Sequence, residues 1–312
     1  MFGKKMVVDL IDRSAENDRD RRNFMKAAGL SGLAVAGTAA VVGATAGSAS
    51  AHGDSGAPSD AAVLNFALNL EYLEGQFYSF AVNGRGIPES MTDGRGKRGG
   101  VTGGHAVPFK SRVVRRYAQE IAGDELAHVT FLRTALGSAK VAQPQIDLQS
   151  SFTAAAMAAG LITKGQTFDP FANEDNFLLG AFIFEDVGVT AYKGAAPLIS
   201  NKTYLEAAAG ILSVEAYHAG IVRSALFERG LQSAARKISD ARDSLDGRSD
   251  DDQGLYYRGR ANLVPTDSNG ITYSRSAGQV LNIAYLNPAK VTKGGFFPAG
   301  VNGAINSSDD NA

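Results

Sequence analysis

The 312-residue chain has no cysteine, only four histidines and almost no net charge, −1 at neutral pH. Without cysteine it forms no disulfide, carries no iron–sulfur cluster and does no thiol chemistry. Any metal it binds must therefore be held by carboxylates and imidazoles. Beyond residue 51, 24 basic residues stand against 27 acidic ones, a balance that gives no general attraction to nucleic acid or to an anionic membrane. Convincing runs of alternating apolar and polar residues, the mark of half-buried strands, are also missing. The Gly84-Arg-Gly86 and Gly94-Arg-Gly96 pieces have neither the preceding strand nor the following Gly-Lys-Ser/Thr of a phosphate loop. Asp250-Asp251-Asp252 lacks the ligand spacing of a calcium loop.

What is present begins with an address. Arg21-Arg22-Asn23-Phe24-Met25-Lys26 precedes a weakly apolar stretch over 27–46, and Ala49-Ser50-Ala51 supplies a small-residue cleavage pattern. Twin arginine, apolar stretch and cleavage site predict a twin-arginine export signal over 1–51 and a protein destined for the periplasm, cell envelope or exterior. The glycine and threonine of the stretch make it a poor permanent membrane span. A flexible Gly/Ser/Pro/Asp tail is expected over 52–60.

Four long helices follow in the reading. The first runs from about 61 to 81 behind Ser59 or Asp60, with Leu64, Leu68, Glu71, Gly75 and Tyr78 on one stripe. The second covers 109–136, with Val114, Ile121, Glu125, His128 and Leu132. The third opens at Asn173 or Asp175 and reaches about Ile199, with Leu178, Phe182, Glu185, Val189 and Tyr192. The fourth spans about 202–229, with Ala208, Ile211, Glu215, His218 and Val222. The glycine-rich stretch 83–102 is long for a hairpin loop, which marks it as functional or mobile. Residues 138–173 read as a crossover with a short alanine-rich helix. Residues 231–312 read as a loop-rich extension packed on the bundle over 61–230. It includes a stretch over 237–245 that either prolongs the fourth helix or forms a fifth, a short helix over 276–285, and a Gly-Gly-Phe-Phe-Pro plug ending at Pro298. The fold class is all-α, a four-helix bundle with one crossover.

The functional signal is a repeated pattern on those stripes. Glu125-Leu-Ala-His128 and Glu215-Ala-Tyr-His218 each place a glutamate and a histidine one turn apart on a single helix face. With 11 glutamates and four histidines in 312 residues, chance alone would give well under one such pair. Glu71 precedes Tyr78, and Glu185 precedes Tyr192, by the same two turns. The chain thus repeats Glu…Tyr, Glu-x-x-His, Glu…Tyr, Glu-x-x-His. Six polar ligands on apolar stripes, with no Arg or Lys on any of those stripes to offset them, are costly to bury unless a metal compensates. Carboxylate and imidazole donors without a soft ligand suit iron or manganese. Glu125 and Glu215 are expected to bridge two ions. Matching the half-repeats sets Glu71 on Glu185 and Glu74 on Gly188, which favours Glu71 as the ligand and leaves Glu74 beside the site or on the surface. Tyr78 and Tyr192, the candidate catalytic side chains, remain open between buried packing with a satisfied hydroxyl and a redox or ligand-supporting role. Asp124 and Asp186, next to ligands, are expected mainly at the solvent face, with the alternative that they orient a histidine.

The segments Leu70-Glu71-Tyr72-Leu73-Glu74 and Phe184-Glu185 through Tyr192, with both Glu-x-x-His motifs, resemble the ferritin-like superfamily. Together with Ile238–Asp246 and the Gly-Gly-Phe-Phe-Pro ending, they look most like its desiccation-related branch. That resemblance implies a ferritin-like bundle with two Fe or two Mn ions at its centre, held by Glu71, Glu125, His128, Glu185, Glu215 and His218. It implies ferrous oxidation or peroxide removal, in protection against oxidative stress or drying, with O2 or peroxide as the small-molecule partner. Assembly into a homo-oligomer is compatible with it. The alternative is a non-enzymatic stress protein whose metals only hold the bundle together.

Overall fold

The computed structural model describes residues 58–312. The twin-arginine segment, the cleavage pattern and most of the short tail lie outside the described residues. Pro58–Ala312 forms one compact unit. Its seven α-helices are α1 (Asp60–Asn83), α2 (Arg112–Leu136), α3 (Ser150–Ala158), α4 (Glu174–Ala195), α5 (Lys202–Glu228), α6 (Gln232–Asp246) and α7 (Ala277–Tyr285). No helix among the described residues is long and apolar enough to cross a membrane.

The four long helices start where short polar side chains can satisfy free backbone donors. Ser59 caps α1 by accepting from the Ala62 amide, Asn173 accepts from Asn176 at α4, and Asn201 accepts from Thr203 and Tyr204 at α5. Helix α2 starts at Arg112, later than the apolar stripe suggested. Ser111 takes the cap position and accepts from the Val114 amide, and Pro108 lies outside the helix. Helix α4 stops at Ala195 because Pro197 follows and carries the chain into one 3-10 turn. Gly230, at φ +75°, breaks the chain after α5, so α6 is a separate helix and not a continuation.

Packing makes two antiparallel hairpins, α1 with α2 and α4 with α5, which pack on each other through α1–α4 and α2–α5. The crossover between them carries α3. Phe77 of α1 sits among Phe152 of α3, Phe171, and Phe177 and Phe184 of α4, with centroids 5.4 to 5.5 Å apart. Phe296 of the expected plug is fully buried and closes the cluster at 5.0 Å from both Phe152 and Phe184. Such aromatic pairs add to the area they bury. The extension is thereby built into the core and lies over α1 and α4.

The glycine-rich loop between α1 and α2 is held by backbone pairing with the crossover. Strand β1 (Val101–Thr102) runs parallel to β2 (Ile146–Asp147), and Arg95 exchanges backbone hydrogen bonds with Lys140 and Ala142. At Gly94 and Gly99 an added Cβ would collide with the backbone at Val141–Ala142 and Pro144–Gln145. Close backbone approach, which only glycine permits there, explains the composition of this loop. A second two-stranded piece, β3 (Tyr256–Tyr257) with β4 (Arg260–Ala261), lies in the extension. These short pairs are the only strands among the described residues.

Candidate metal centre

All six expected ligands converge in the bundle interior. Glu71, Glu125, Glu185 and Glu215 are at most 1% exposed, His218 2% and His128 7%. They form two clusters that share Glu125. One holds Glu71, Glu125, His128 and Glu215, the other Glu125, Glu185 and His218. Each histidine turns Nδ1 inward. His128 Nδ1 lies 3.2 Å from Glu71, 3.5 Å from Glu125 Oε2 and 3.6 Å from Glu215. His218 Nδ1 lies 3.1 Å from Glu125 Oε1 and 3.5 Å from Glu185. Glu125 therefore spans the two clusters with its two oxygens, the placement a bridging carboxylate needs. Glu215, the other expected bridge, stands with the His128 cluster alone.

The site fits a metal because four of its six ligands present donor atoms with no other partner. Both oxygens of Glu125, both of Glu215, Glu185 Oε2 and His218 Nδ1 are buried and make no hydrogen bond. A buried carboxylate without partners costs several kcal/mol, on the order of the penalty for an unpaired charge. Burial drives Glu71 up to about 7, against the pull of His128, and pushes Glu215 well above the usual carboxylate range, reinforced by the surrounding glutamates. Burial also works against Glu125, yet the two imidazoles overcome it and hold that carboxyl near 2. The histidines resist burial in turn. His128 is carried up to about 10 chiefly by Glu71, and His218 up to about 12 chiefly by Glu185. Two divalent ions would replace those protons and satisfy the same oxygens.

The residues around the ligands repeat as well. Tyr78 of α1 donates its hydroxyl to Glu185 of α4, and Tyr192 of α4 donates to Glu71 of α1. Each tyrosine steadies the glutamate of the opposite hairpin. A deeper layer, two arginines, lies behind the ligands. Eight residues beyond each motif glutamate stands an arginine, Arg133 on α2 and Arg223 on α5. Arg133 donates to the Tyr72 hydroxyl at 2.7 Å, and Arg223 to Asp186 at 2.6 Å. Tyr72 and Asp186 each directly follow a ligand glutamate, Glu71 and Glu185. Extending the half-repeat alignment by those eight residues would have exposed both arginines.

The structure chooses among the alternatives left for Asp124, Asp186 and Glu74. Asp124 keeps its side chain partly in solvent and also hydrogen-bonds His218 Nε2 at 3.1 Å, so it orients that ring. Asp186 is buried and held by Arg223 and by Arg242 of α6. Buried arginines do stand behind the site, Arg223 on α5, Arg242 on α6 and Arg275 in the extension, but they pair with Asp186, Asp246 and Asp252 and leave the ligand carboxylates uncompensated. Glu74 is 5% exposed and no surface residue. Burial, with the charges of Glu125, Glu185 and Glu71, pushes its carboxyl well above the usual range. Of the other two histidines, His105 is exposed and pairs with Asp169, far from this chemistry, and His52 lies outside the described residues.

Sequence comparison meets this geometry. A family model described as Ferritin-like domain matches residues 59–228, the stretch that carries all four bundle helices. The chain is 28% identical over 262 residues to the desiccation-related protein PCC13-62 of Craterostigma plantagineum, covering 77% of this chain and 82% of that one. It is 23% identical over 271 residues to the ferritin-like catalase Nec2 of Nesocodon mauritianus, covering 79% and 84%. No solved structure matches.

Proposed function

The chain belongs to the ferritin-like domain family, and on that footing we propose that it is an exported dinuclear iron or manganese oxidoreductase that removes peroxide under oxidative or drying stress. The observation that carries the proposal is a set of six ligands buried on facing helices and joined through Glu125, of which Glu125, Glu215, Glu185 Oε2 and His218 Nδ1 have no hydrogen-bond partner. Nec2, a relative that covers most of the chain, is named a catalase, which supports peroxide over ferrous ion as the substrate. The name of PCC13-62 supports the link to drying. Export rests on the twin arginine and the small-residue cleavage pattern.

Glu71, Glu125, His128 and Glu215 would hold one ion and Glu125, Glu185 and His218 the other. When bound, the pair supplies a two-electron couple through which two peroxides become two waters and one dioxygen. The chain's own residues do the rest. The two tyrosine–glutamate bonds fix the outer carboxylates, so the ligand oxygens need little reorganisation. Asp124 accepts from His218 Nε2 and so leaves Nδ1 as the lone-pair nitrogen facing the site. The surrounding apolar stripe excludes bulk water and keeps the carboxylates undiluted by solvent.

The test is oxygen evolution from hydrogen peroxide by protein loaded anaerobically with iron or with manganese, beside Glu125→Gln. Turnover that depends on metal and on Glu125 is expected. A loaded protein that holds its metal, melts higher for it and evolves no oxygen would instead make the centre a structural clamp.

A further inference from the structure

A small cavity adjoins the metal centre on the side covered by the extension. Its wall comes from Leu70, Leu73 and Glu74 of α1, Ile183, Phe184, Val187 and Gly188 of α4, and Val280, Ile283, Ala284 and Phe296 of the extension. Its volume is about 30 Å³. That is room for two water-sized positions, since one needs about 10–15 Å³. Glu74 is the only polar side chain on the wall. A water there would have one side-chain partner where two to four are needed, and apolar cavities of this kind stay dry.

Gly188 ties the cavity to the centre. An added Cβ at this position would collide with the Glu215 carboxylate and stand 3.5 Å from Glu74 Oε1. Thus a residue that lines the cavity presses its other side on a ligand, and only the lack of a side chain allows it. The other half-repeat carries Glu74 at the equivalent position, and Glu74 itself lines the same cavity. A dry space sized for a diatomic molecule, against a ligand of a redox centre, excludes charged and strongly hydrated species. Hydrogen peroxide, which needs several hydrogen bonds, is a poor occupant for the same reason that water is.

We propose that this cavity is a dioxygen site serving the centre, the first station of the gas released when peroxide is dismutated, and that the extension exists in part to roof it. The role rests on the redox reading above; the site itself does not. The experiment is crystallography of the wild-type protein, metal-free and metal-loaded, under krypton pressure, with metal content measured on the same crystals. The companion variant is Ala284→Leu, which fills the cavity from the roof without touching a ligand.

Krypton density between Gly188 and Ala284 is expected in both wild-type crystals. In the variant, loss of that density, unchanged metal content and a several-fold lower turnover at saturating peroxide are expected, with KM unchanged. Metal-loaded wild type without krypton density overturns the dioxygen site, as does a variant that excludes krypton yet turns over at the wild-type rate. Krypton density in a protein that takes up no metal would fault the redox reading, and with it the role assigned to the gas. The wild-type gas measurement stands even if the variant does not fold.

Discussion

The two hairpins of the bundle offer the same ligands and anchor different things. In the first, Arg133 binds the neutral Tyr72 hydroxyl and reaches out to Asp93 and to backbone carbonyls at Ser90 and Asp93, fixing the glycine-rich loop. In the second, Arg223 binds the charged Asp186 and the backbone carbonyls of Gln253, Gly254 and Asn262, fixing the extension. One arginine is at the surface side and one is fully buried, yet each braces the residue beside a ligand glutamate. The duplicated plan keeps the metal geometry, and the unequal partners let one hairpin carry a loop and the other a roof. The same inequality reaches the histidines. His218 has Asp124 behind it, whereas the matching position behind His128 is Val214, which offers no carboxylate.

The comparison breaks first at the residue the halves share. Glu125→Ala should empty both positions, from about two ions per chain to essentially none, whereas Glu185→Ala should spare the His128 position. Elemental analysis after anaerobic loading checks this. Next come the arginines. Arg223→Ala takes one of two guanidiniums from buried Asp186, leaves the carbonyls of Gln253, Gly254 and Asn262 without their donor, and should cost about 3 kcal/mol, against roughly 1 kcal/mol for Arg133→Ala, whose carboxylate partner Asp93 is exposed. Chemical denaturation of the two variants separates them, and equal losses would mean that burial is not what distinguishes the halves.

Asp124→Asn should weaken one of the two metal-binding steps by about 10–100-fold and leave the other alone. A stepwise anaerobic metal titration reads that inequality. Tyr78→Phe and Tyr192→Phe, being symmetric, should each cost about 1.5–3 kcal/mol and differ little from each other in thermal melting.

The smallest effect is a pH effect confined to the second half. Burial, with Asp252, Asp246 and Asp250 nearby, drives Asp243 up to about 7. A carboxyl raised on folding holds its proton more tightly in the native state. Its contribution is complete below the ordinary value of 3.8 and is lost as pH rises through 7. Asp243→Asn should therefore leave Tm nearly unchanged at pH 4 and raise it at pH 8, while keeping the hydrogen bond from the Asp252 amide.

How far the sequence could be read follows from where each signal lay. The ligands were readable because they recur at fixed spacing along single helices, and a helix converts spacing into a shared face. Helix ends were readable where a Ser or Asn cap or a Gly stop is local. Asp124 and Asp186 were misjudged because their partners, His218, Arg223 and Arg242, come from other helices, and one-dimensional spacing carries no such pairing. Glu74 was set aside because its counterpart is Gly188. That same difference turned out to matter, since the missing side chain makes room for the Glu215 and Glu74 carboxylates together. The glycines of the loop over 83–102 suggested mobility, when the reason for them is backbone contact with a crossover about 45 residues away.

The central claim is that six buried side chains exist to hold two metal ions. The direct measurement is metal stoichiometry by elemental mass spectrometry, on protein purified without chelators and on the Glu125→Ala/Glu215→Ala double variant. The account predicts about two iron or manganese ions per chain in the wild type and essentially none in the variant. A wild-type protein that stays empty after anaerobic loading with both metals would contradict it.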